Sequence, residues 1–495
     1  MGVLVEVVNE SIWRHAELSA VNDGRVAVAY HELDAAADRV ASSFDQLWHQ
    51  INREGSVLGS GRTPRVAIYA SNSVDYVIIY IGLLRSGAVP FLVDPSFGEY
   101  ELNFISSSCS VDVFLHDRSL PVAEGKSTSH FFNRFHATSI LEAAPGRKQR
   151  FELLPETEVC RFSSGSTGAP SCIEYSGDAV HRAALAWCEG TRMSTAERLL
   201  CFAGLFNGLS FNTSLLPSFL TGSELWLSSG LPTAGRVARY LKAARPTRLT
   251  AFPPLYESLL LWEESLPGLE NLRVSLSSAA PLSTEVAQDL FSRHGIKIHN
   301  YYGIAETGPL TFDPSPSAEG GVGYPLPGVS IKTSDTGRGP GEIRVRSSSM
   351  GSRYLNFPGE LEQKIDSSGY FMSGDEGIIR NGSLFFTGKL GKGINIAGRK
   401  IDPTEVSNIL SEFGVAQSFI FAAEQEGRDP DLAAVFTSPE KVDTNALRKH
   451  CLTRLSQYKV PQILVQVDEI PKSQLGKPRL RLMQDLVAKK TGGRR

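Results

Sequence analysis

Four short stretches carry residue types that could handle an anionic substrate. Between Ser163 and Gly177 the chain reads SSGSTGAPSCIEYSG. Consecutive Gly, Ser and Thr let backbone N–H groups converge on an anion, and the hydroxyls of Ser164, Ser166 and Thr167 add donors. No GK[ST] closes the loop, so it is not a Walker A loop. Further on, NYYGIAETG at 300–308 sets Glu306 behind an aromatic-glycine turn, YFMSGDEG at 370–377 sets Asp375 behind a glycine, and PKSQLGKPRL at 471–480 carries Lys477. Each has a plain reading as well: a small-residue turn, a carboxylate favouring a helix N-terminus, an Asx turn, a solvated lysine. Together, two carboxylates, a lysine and an anion loop make a set suited to phosphate chemistry.

The elements that must position them alternate between strand and helix. In RVAIYASNSVDYVIIYIGLLRSGAVPFLVD, Arg65 to Tyr69 read as a buried strand, Ser73 as a helix N-cap, Val74 to Leu84 as a helix stopped at Gly87, and Val89 to Val93 as the next strand. That is a βαβ crossover, which requires a parallel sheet. Similar units begin at 111, 248 and 273, and EVCRF reads as a short strand leading into the anion loop. Ligands of open α/β sheets bind beyond the carboxyl ends of strands, where these loops fall. After about residue 320 the texture changes to short strands and Gly-rich turns. Polar stretches at 55–64 and 144–150 read as surface loops, and glycine crowding at 388–398 as a hinge.

In order and spacing, these motifs, with GAVPFLVDPSFGEYEL at 87–102 as a fifth, resemble the adenylate-forming superfamily of acyl-CoA synthetases, nonribosomal-peptide adenylation domains and firefly luciferase. The resemblance runs from Val28 to Lys477. It implies an α/β fold: an N-terminal core over 1–390 with mostly parallel sheets flanked by helices and a β-rich part at about 320–390, then a small mobile α+β domain over 391–495. It further implies an ATP-dependent ligase that joins a carboxylate to the α-phosphorus, releases pyrophosphate, and passes the acyl group to a second nucleophile. Position by position, Ser164, Gly165, Ser166, Thr167 and Gly168 would hold the β- and γ-phosphates, and Glu306 would hold Mg²⁺ and act in catalysis. Ala279, Tyr302 and Gly303 would enclose the adenine, Asp375 would accept the ribose hydroxyls, and Lys389 would stand beside the nucleotide. Lys477 would reach between the phosphate and the substrate carboxylate as the catalytic lysine.

The sequence departs from the family pattern in places. Pro170, Ser171 and Cys172 occupy the positions of a usual Pro-Lys-Gly, so one mobile positive charge is missing while the N–H cradle remains. The usual Gly-Arg-x-Asp turn is Gly388, Lys389, Leu390, Gly391, which puts glycine at the hinge position. Asn395 stands where lysine is common, Gly398 keeps a small residue on the expected route of the second nucleophile, and Ala305 replaces a threonine.

For the acid, the resemblance assigns Phe206, Asn207, Ala280 and Gly303 to the pocket. Amino-acid-activating relatives place an aspartate where Asn207 stands, and a neutral amide cannot neutralise a buried ammonium. An aryl or heteroaryl acid is therefore expected, with Asn207 as an unrelated loop or helix residue the plain alternative. Eighteen residues follow Lys477 and none forms a carrier domain, so a freestanding enzyme is expected. Its acceptor is coenzyme A or, nearly as well supported, an amine that gives an amide directly. Loading of a separate carrier protein and a silent ligand-binding member rank below.

Composition agrees with a multidomain globular protein. The chain has 495 residues, 41% apolar and 21% charged, with a formal charge of -3, which speaks against a nucleic-acid partner. Six scattered cysteines form no CxxC and no Cys/His cluster, and the N-terminus lacks a basic start and apolar core, so a cytoplasmic enzyme is expected. The longest apolar run, VIIYIGLL at 77–84, is far short of the roughly 20 residues a membrane span needs, and no membrane association is expected.

Overall fold

The computed structural model describes residues 2–54, 62–122, 125–140, 150–163, 170–195, 197–230, 233–262, 264–278, 282, 284–316, 321–334, 339–389, 393–396, 399–425, 428–471 and 480–491. The chain divides into two compact units, one of Met1–Pro95, Ile105–Ser163 and Ser171–Leu390, the other of Ser96–Phe104, Ser164–Pro170 and Gly391–Arg495.

The larger unit is organised on two large sheets and a small one. The expected crossover is present: Arg65–Tyr69 and Val89–Val93 pair in parallel, and the helix Val74–Arg85 connects them. The Ser73 side chain accepts from the Tyr76 N–H at 3.1 Å, which satisfies one of the free donors of the first turn. These two strands are buried along their whole length, as strands of a sheet covered on both faces must be. Their eight-stranded sheet runs Arg353–Tyr354, Ser171–Ser176, Thr157–Ser163, Val89–Val93, Arg65–Tyr69, Val113–His116, Phe135–Ile140, Gly125–Phe132.

The nine-stranded sheet has the order Tyr324–Pro325, Gly308–Phe312, Ile298–Ile304, Val274–Ser277, Arg248–Ala251, Arg198–Cys201, Glu224–Leu227, Ser19–Asn22, Ala27–Ala29. Pairing is parallel from Ile298–Ile304 through to Ser19–Asn22, with antiparallel strands at both ends. The carboxyl ends of Arg198–Cys201, Val274–Ser277 and Ile298–Ile304 thus share one edge, and the segments carrying Asn207, Ser278 and Glu306 leave from it. A four-stranded antiparallel sheet, Ser330–Thr333, Gly341–Arg346, Phe371–Arg380 and Ser383–Lys389, accounts for the β-rich texture.

The smaller unit has a two-stranded ribbon, Ile394–Ile396 with Arg399–Ile401, and a three-stranded sheet of Gln417–Gln425, Arg428–Thr437 and Ile463–Gln466. Its helices Pro403–Glu412 and Thr444–Arg454 begin at Asp402 and Asp443, whose side chains accept from the N–H groups of Thr404 and Asn445. Ile401, Val406, Leu410, Leu432, Phe436 and Leu447 form its solvent-free core. Among the described residues no helix is long and apolar enough to cross a membrane.

Candidate active site

Tyr302 and Asp375 are 73 residues apart and lie in different sheets, yet the Tyr302 hydroxyl donates to Asp375 Oδ2 at 2.9 Å. Asp375 is 2% exposed, and Gly374 before it has φ +70°, a conformation glycine adopts without strain. The Asp375 N–H donates to Ser373 Oγ at 3.0 Å, which fixes the strand at the point where the carboxylate leaves it. Burial, with Asp375 adding to it, pushes the Tyr302 hydroxyl well above its usual range, so the phenol stays a proton donor. Each carboxylate oxygen can accept more than one hydrogen bond, which leaves Asp375 capacity for ribose hydroxyls. The Tyr302 ring lies against Phe386, with centroids 6.3 Å apart.

Glu306 sits in the turn between the antiparallel strands Ile298–Ile304 and Gly308–Phe312. The sequence reading placed it behind an aromatic-glycine turn; instead Tyr301, Tyr302 and Gly303 lie within the strand. The glycine is needed there because a Cβ on Gly303 would stand 2.3 Å from the Tyr301 hydroxyl. Tyr354 donates to Glu306 Oε1 at 2.6 Å, and Lys364 Nζ donates to the Tyr354 oxygen at 3.1 Å. Burial, then the Glu306 charge, raises the Tyr354 hydroxyl far above the usual range, so it too is a fixed donor. The second oxygen of Glu306 has no hydrogen-bond partner among the described residues. One hard oxygen ligand fits Mg²⁺, which takes few protein ligands and completes its shell from phosphates and water. Among the described residues no group of three His, Cys, Asp or Glu that could hold a metal occurs.

On the acid side, Asn207 is the N-cap of the short turn Gly208–Ser210, and its side-chain oxygen accepts from the Leu209 N–H at 2.8 Å. Oδ1 is thus engaged in capping, while Nδ2 has no partner among the described residues. The chain continues as a π-helix, Phe211–Leu215, a rare geometry frequently seen at functional sites. Phe206 is half-buried, and its ring fills the space a side chain at Gly204 would need.

Arg161, on the strand before the anion loop, reaches the same region. It is 3% exposed, with its guanidinium carbon 4.2 Å from the Tyr175 ring centroid and 5.1 Å from that of Phe211. A Cβ on Gly208 would stand 2.8 Å from Arg161 Nη1 and 3.8 Å from Asn212 Nδ2. Ring contacts contribute roughly 0.5–2 kcal/mol each, against an effective desolvation cost of several kcal/mol for a buried ion. The rings alone therefore leave the cation under-compensated. Tyr175 also ties this region to the Glu306 turn, because its hydroxyl donates to the Ala305 carbonyl.

The structure brings Tyr302, Gly303, Glu306 and Asp375 into one neighbourhood, with Phe206 and Asn207 on a second segment from the same sheet edge. Lys389 pairs with Asp375 through the backbone ladder. Ser164, Gly165, Ser166, Thr167, Gly168, Ala279, Ala280, Gly391 and Lys477 lie outside the described residues. Ser171, where the family lysine is missing, is 6% exposed and pairs with Ser163 across the antiparallel ladder, so a lysine there would have to leave a buried strand position. The sequence reading missed Arg161, Tyr175 and Tyr354. A charged residue inside the apolar strand EVCRF was the one available signal.

The AMP-binding enzyme family model matches residues 10–355. The chain belongs to the AMP-binding enzyme family. It is an adenylate-forming ligase, and both this membership and the α/β fold agree with the sequence reading. This AMP-binding enzyme is 23% identical to the 3-hydroxybenzoate–CoA ligase of Aromatoleum sp. (strain CIB) over 93% of the chain and 92% of that relative. Its fold superposes on o-succinylbenzoate–CoA synthetase of Bacillus subtilis with a TM-score of 0.79 at 20% identity, covering 97% and 98% of the two chains. Amide bond synthetase McbA of Marinactinospora thermotolerans superposes with a TM-score of 0.77 at 20% identity, covering 98% and 99%.

Proposed function

We propose that this enzyme activates a carboxylic acid, aryl or heteroaryl in character, and transfers it to the thiol of coenzyme A. The substrate carboxylate oxygen bonds to the α-phosphorus of ATP as the bond to pyrophosphate breaks; thiolate then attacks the acyl carbon and AMP leaves. The observation that carries the reading is Tyr302, at the carboxyl end of a parallel strand beside Glu306, joined to Asp375 from the antiparallel sheet in an AMP-binding enzyme. Asp375 accepts the ribose hydroxyls while Tyr302 holds its carboxylate in place. Glu306, steadied by Tyr354, holds Mg²⁺, which supplies charge neutralisation at the phosphates. Residues Ser164–Gly168 cradle the β- and γ-phosphates, with Ala279 and Gly303 along the adenine and Lys389 beside the nucleotide. Lys477 approaches the transferring phosphoryl group, and residues 391–495 rotate about Gly391 between the half-reactions. Phe206, Asn207, Ala280 and Gly303 line the acid pocket. The site lies in the cytoplasm, where ATP and CoA are available.

Aryl-CoA ligases among the relatives support the thioester outcome. Its rival is direct amide formation, favoured by the fold likeness to an amide bond synthetase and by Asn395 where a lysine is usual. The deciding experiment is ATP-dependent pyrophosphate release across aryl, heteroaryl and aliphatic acids, followed by mass spectrometry with CoA or a mixture of amines. A thioester supports the proposal and an amide replaces it with the rival. Absence of pyrophosphate with every acid removes both.

A further inference from the structure

Lys364 ends a short 3₁₀ turn, Glu362–Lys364, whose place in the larger unit is fixed on both sides. Leu361 before it is buried, and Ile365 after it bridges to Phe371, the first residue of the strand that carries Asp375. The side chain folds across Tyr354, with Nζ 5.1 Å from the ring centroid and 3.1 Å from the hydroxyl oxygen. Tyr354 gives its one proton to Glu306 Oε1 at 2.6 Å, so towards Lys364 its oxygen can only accept. An ammonium, a phenol and the carboxylate proposed for Mg²⁺ therefore stand in a row.

Two other lysines meet carboxylates directly: Lys459 Nζ is 2.8 Å from Glu405, and Lys332 Nζ is 3.5 Å from Asp366. Lys364 differs. It forms no ion pair with a described residue, and the phenol engages one of its three N–H donors. Lys364 and Glu306 are both partly exposed, so both ends of the row are open to a ligand from solvent.

The row also runs beside the strand that leaves the anion loop. Tyr354 stands opposite Ile173, the Leu355 N–H donates to the Cys172 carbonyl at 2.8 Å, and Asn356 Oδ1 accepts the Cys172 N–H at 2.8 Å. Residues two apart on a strand share a face, so the side chain of Ser171 leaves the sheet on the face of Ile173 and Tyr354. Ser171 is the position where a loop lysine is missing. Lys364 brings an ammonium to that face on a different segment.

We infer that Lys364 is a polyphosphate-binding residue of this enzyme, its ammonium held at Tyr354 to meet the terminal phosphates of ATP and supply the charge absent at Ser171. The inference rests on the proposed role of Glu306 as the metal carboxylate. Mg²⁺ served by Glu306 would bridge phosphate oxygens, and an ammonium beside it offsets further charge there. A compact cation on a flexible four-carbon stem can turn from the phenol to a phosphate with little rearrangement.

The test uses the full-length protein and measures binding of AMP and of ATP by calorimetry, each with and without Mg²⁺. Lys364→Met is expected to weaken ATP by about 10- to 100-fold, the scale of one charge-assisted hydrogen bond, and to leave AMP within about 3-fold. The ATP loss is expected without Mg²⁺ as well, because the contact is to phosphate. Lys364→Arg is expected to keep ATP within about 3-fold of wild type, because it keeps the charge. Retained AMP binding reports a folded site, and Lys364→Gln, with the same expected ATP loss, takes the place of Lys364→Met should that variant not fold. Unchanged ATP affinity, equal losses for ATP and AMP, or a loss seen only with Mg²⁺ would overturn the inference. The last of these would make Lys364 a support for Glu306 through Tyr354. All three leave the ligase reading standing, since wild type still binds ATP and releases pyrophosphate with an acid. Wild type that binds no ATP and releases no pyrophosphate with any acid overturns both.

Discussion

Asp375→Asn isolates the charge at the proposed ribose site with little change in volume. The carboxylate is 2% exposed and already receives the Tyr302 hydroxyl at 2.9 Å, so water does little to screen what replaces it. An asparagine can turn its oxygen to Tyr302, but its amide nitrogen then faces the ribose, where a charged acceptor stood. A hydrogen bond to a charged group is worth about 1.5–3 kcal/mol, which converts to roughly a 10- to 100-fold weaker Kd for AMP. Isothermal titration with AMP measures this without knowledge of the acid. Tyr302→Phe should weaken AMP about 10-fold, because Asp375 loses the donor that holds its orientation. If Tyr302 acts through Asp375, the double variant binds AMP no worse than Asp375→Asn alone. AMP affinities within 3-fold of wild type in both single variants would refute the assignment of this pair to the nucleotide, and additive losses would separate Tyr302 from Asp375.

Three further outcomes are expected. Lys477→Ala should slow pyrophosphate release by about 100- to 1,000-fold while AMP binding stays within a few-fold, the pattern of a donor used in the transition state; unchanged release would remove Lys477 from the chemistry. Burial lowers His299, stacked on Phe312 with centroids 5.5 Å apart, from 6.5 to about 4. Between those values the unfolded chain binds a proton that the folded chain does not, so up to about 3 kcal/mol of stability present above pH 6.5 is lost on acidification towards pH 4. Calorimetric melting of His299→Gln should show that slope flattened. Glu405 behaves oppositely: burial raises it from 4.5 to about 7, although Lys459 Nζ lies 2.8 Å from its Oε1 and opposes the rise. There the folded chain holds a proton that the unfolded chain has released, so stability of the smaller unit falls as pH rises from about 4.5 to 7, by 2–3 kcal/mol at most on an order-of-magnitude scale. Glu405→Gln should remove this fall, and a smaller unit whose melting is flat across that range would contradict it.

The sheets were legible in the chain because their central strands are continuous apolar runs, and because Ser73 and Gly87 mark the helix between two of them. Asp375 was legible as a carboxylate after a glycine. That a phenol from another sheet holds it was not, since no local pattern links positions 73 residues apart. The turn at Glu306 was placed too early because glycine usually signals a turn, whereas Gly303 is demanded by the close approach of Tyr301 within a strand. Arg161 was visible as a charge in an apolar strand, but only three-dimensional packing reveals that its neighbours leave two donors idle. Tyr354 carried no signal at all, as an aromatic in a short edge strand reads as core.

The first strand of the chain has its own consequence for how the protein is made. Ser19–Asn22 lies inside the nine-stranded sheet, with Val21 opposite Leu225, and the amides of Val3 and Leu4 are tied to Glu158. At ribosomal speeds of about 5–20 residues per second, the partner strand emerges roughly 10–40 s after the segment that needs it. For that interval Ser19–Asn22 pairs only with Ala27–Ala29, and the nascent chain carries one unpaired strand edge and an apolar helix face with no native place to go. Production of this enzyme should therefore be more sensitive to chaperone supply and to translation rate than its average composition suggests.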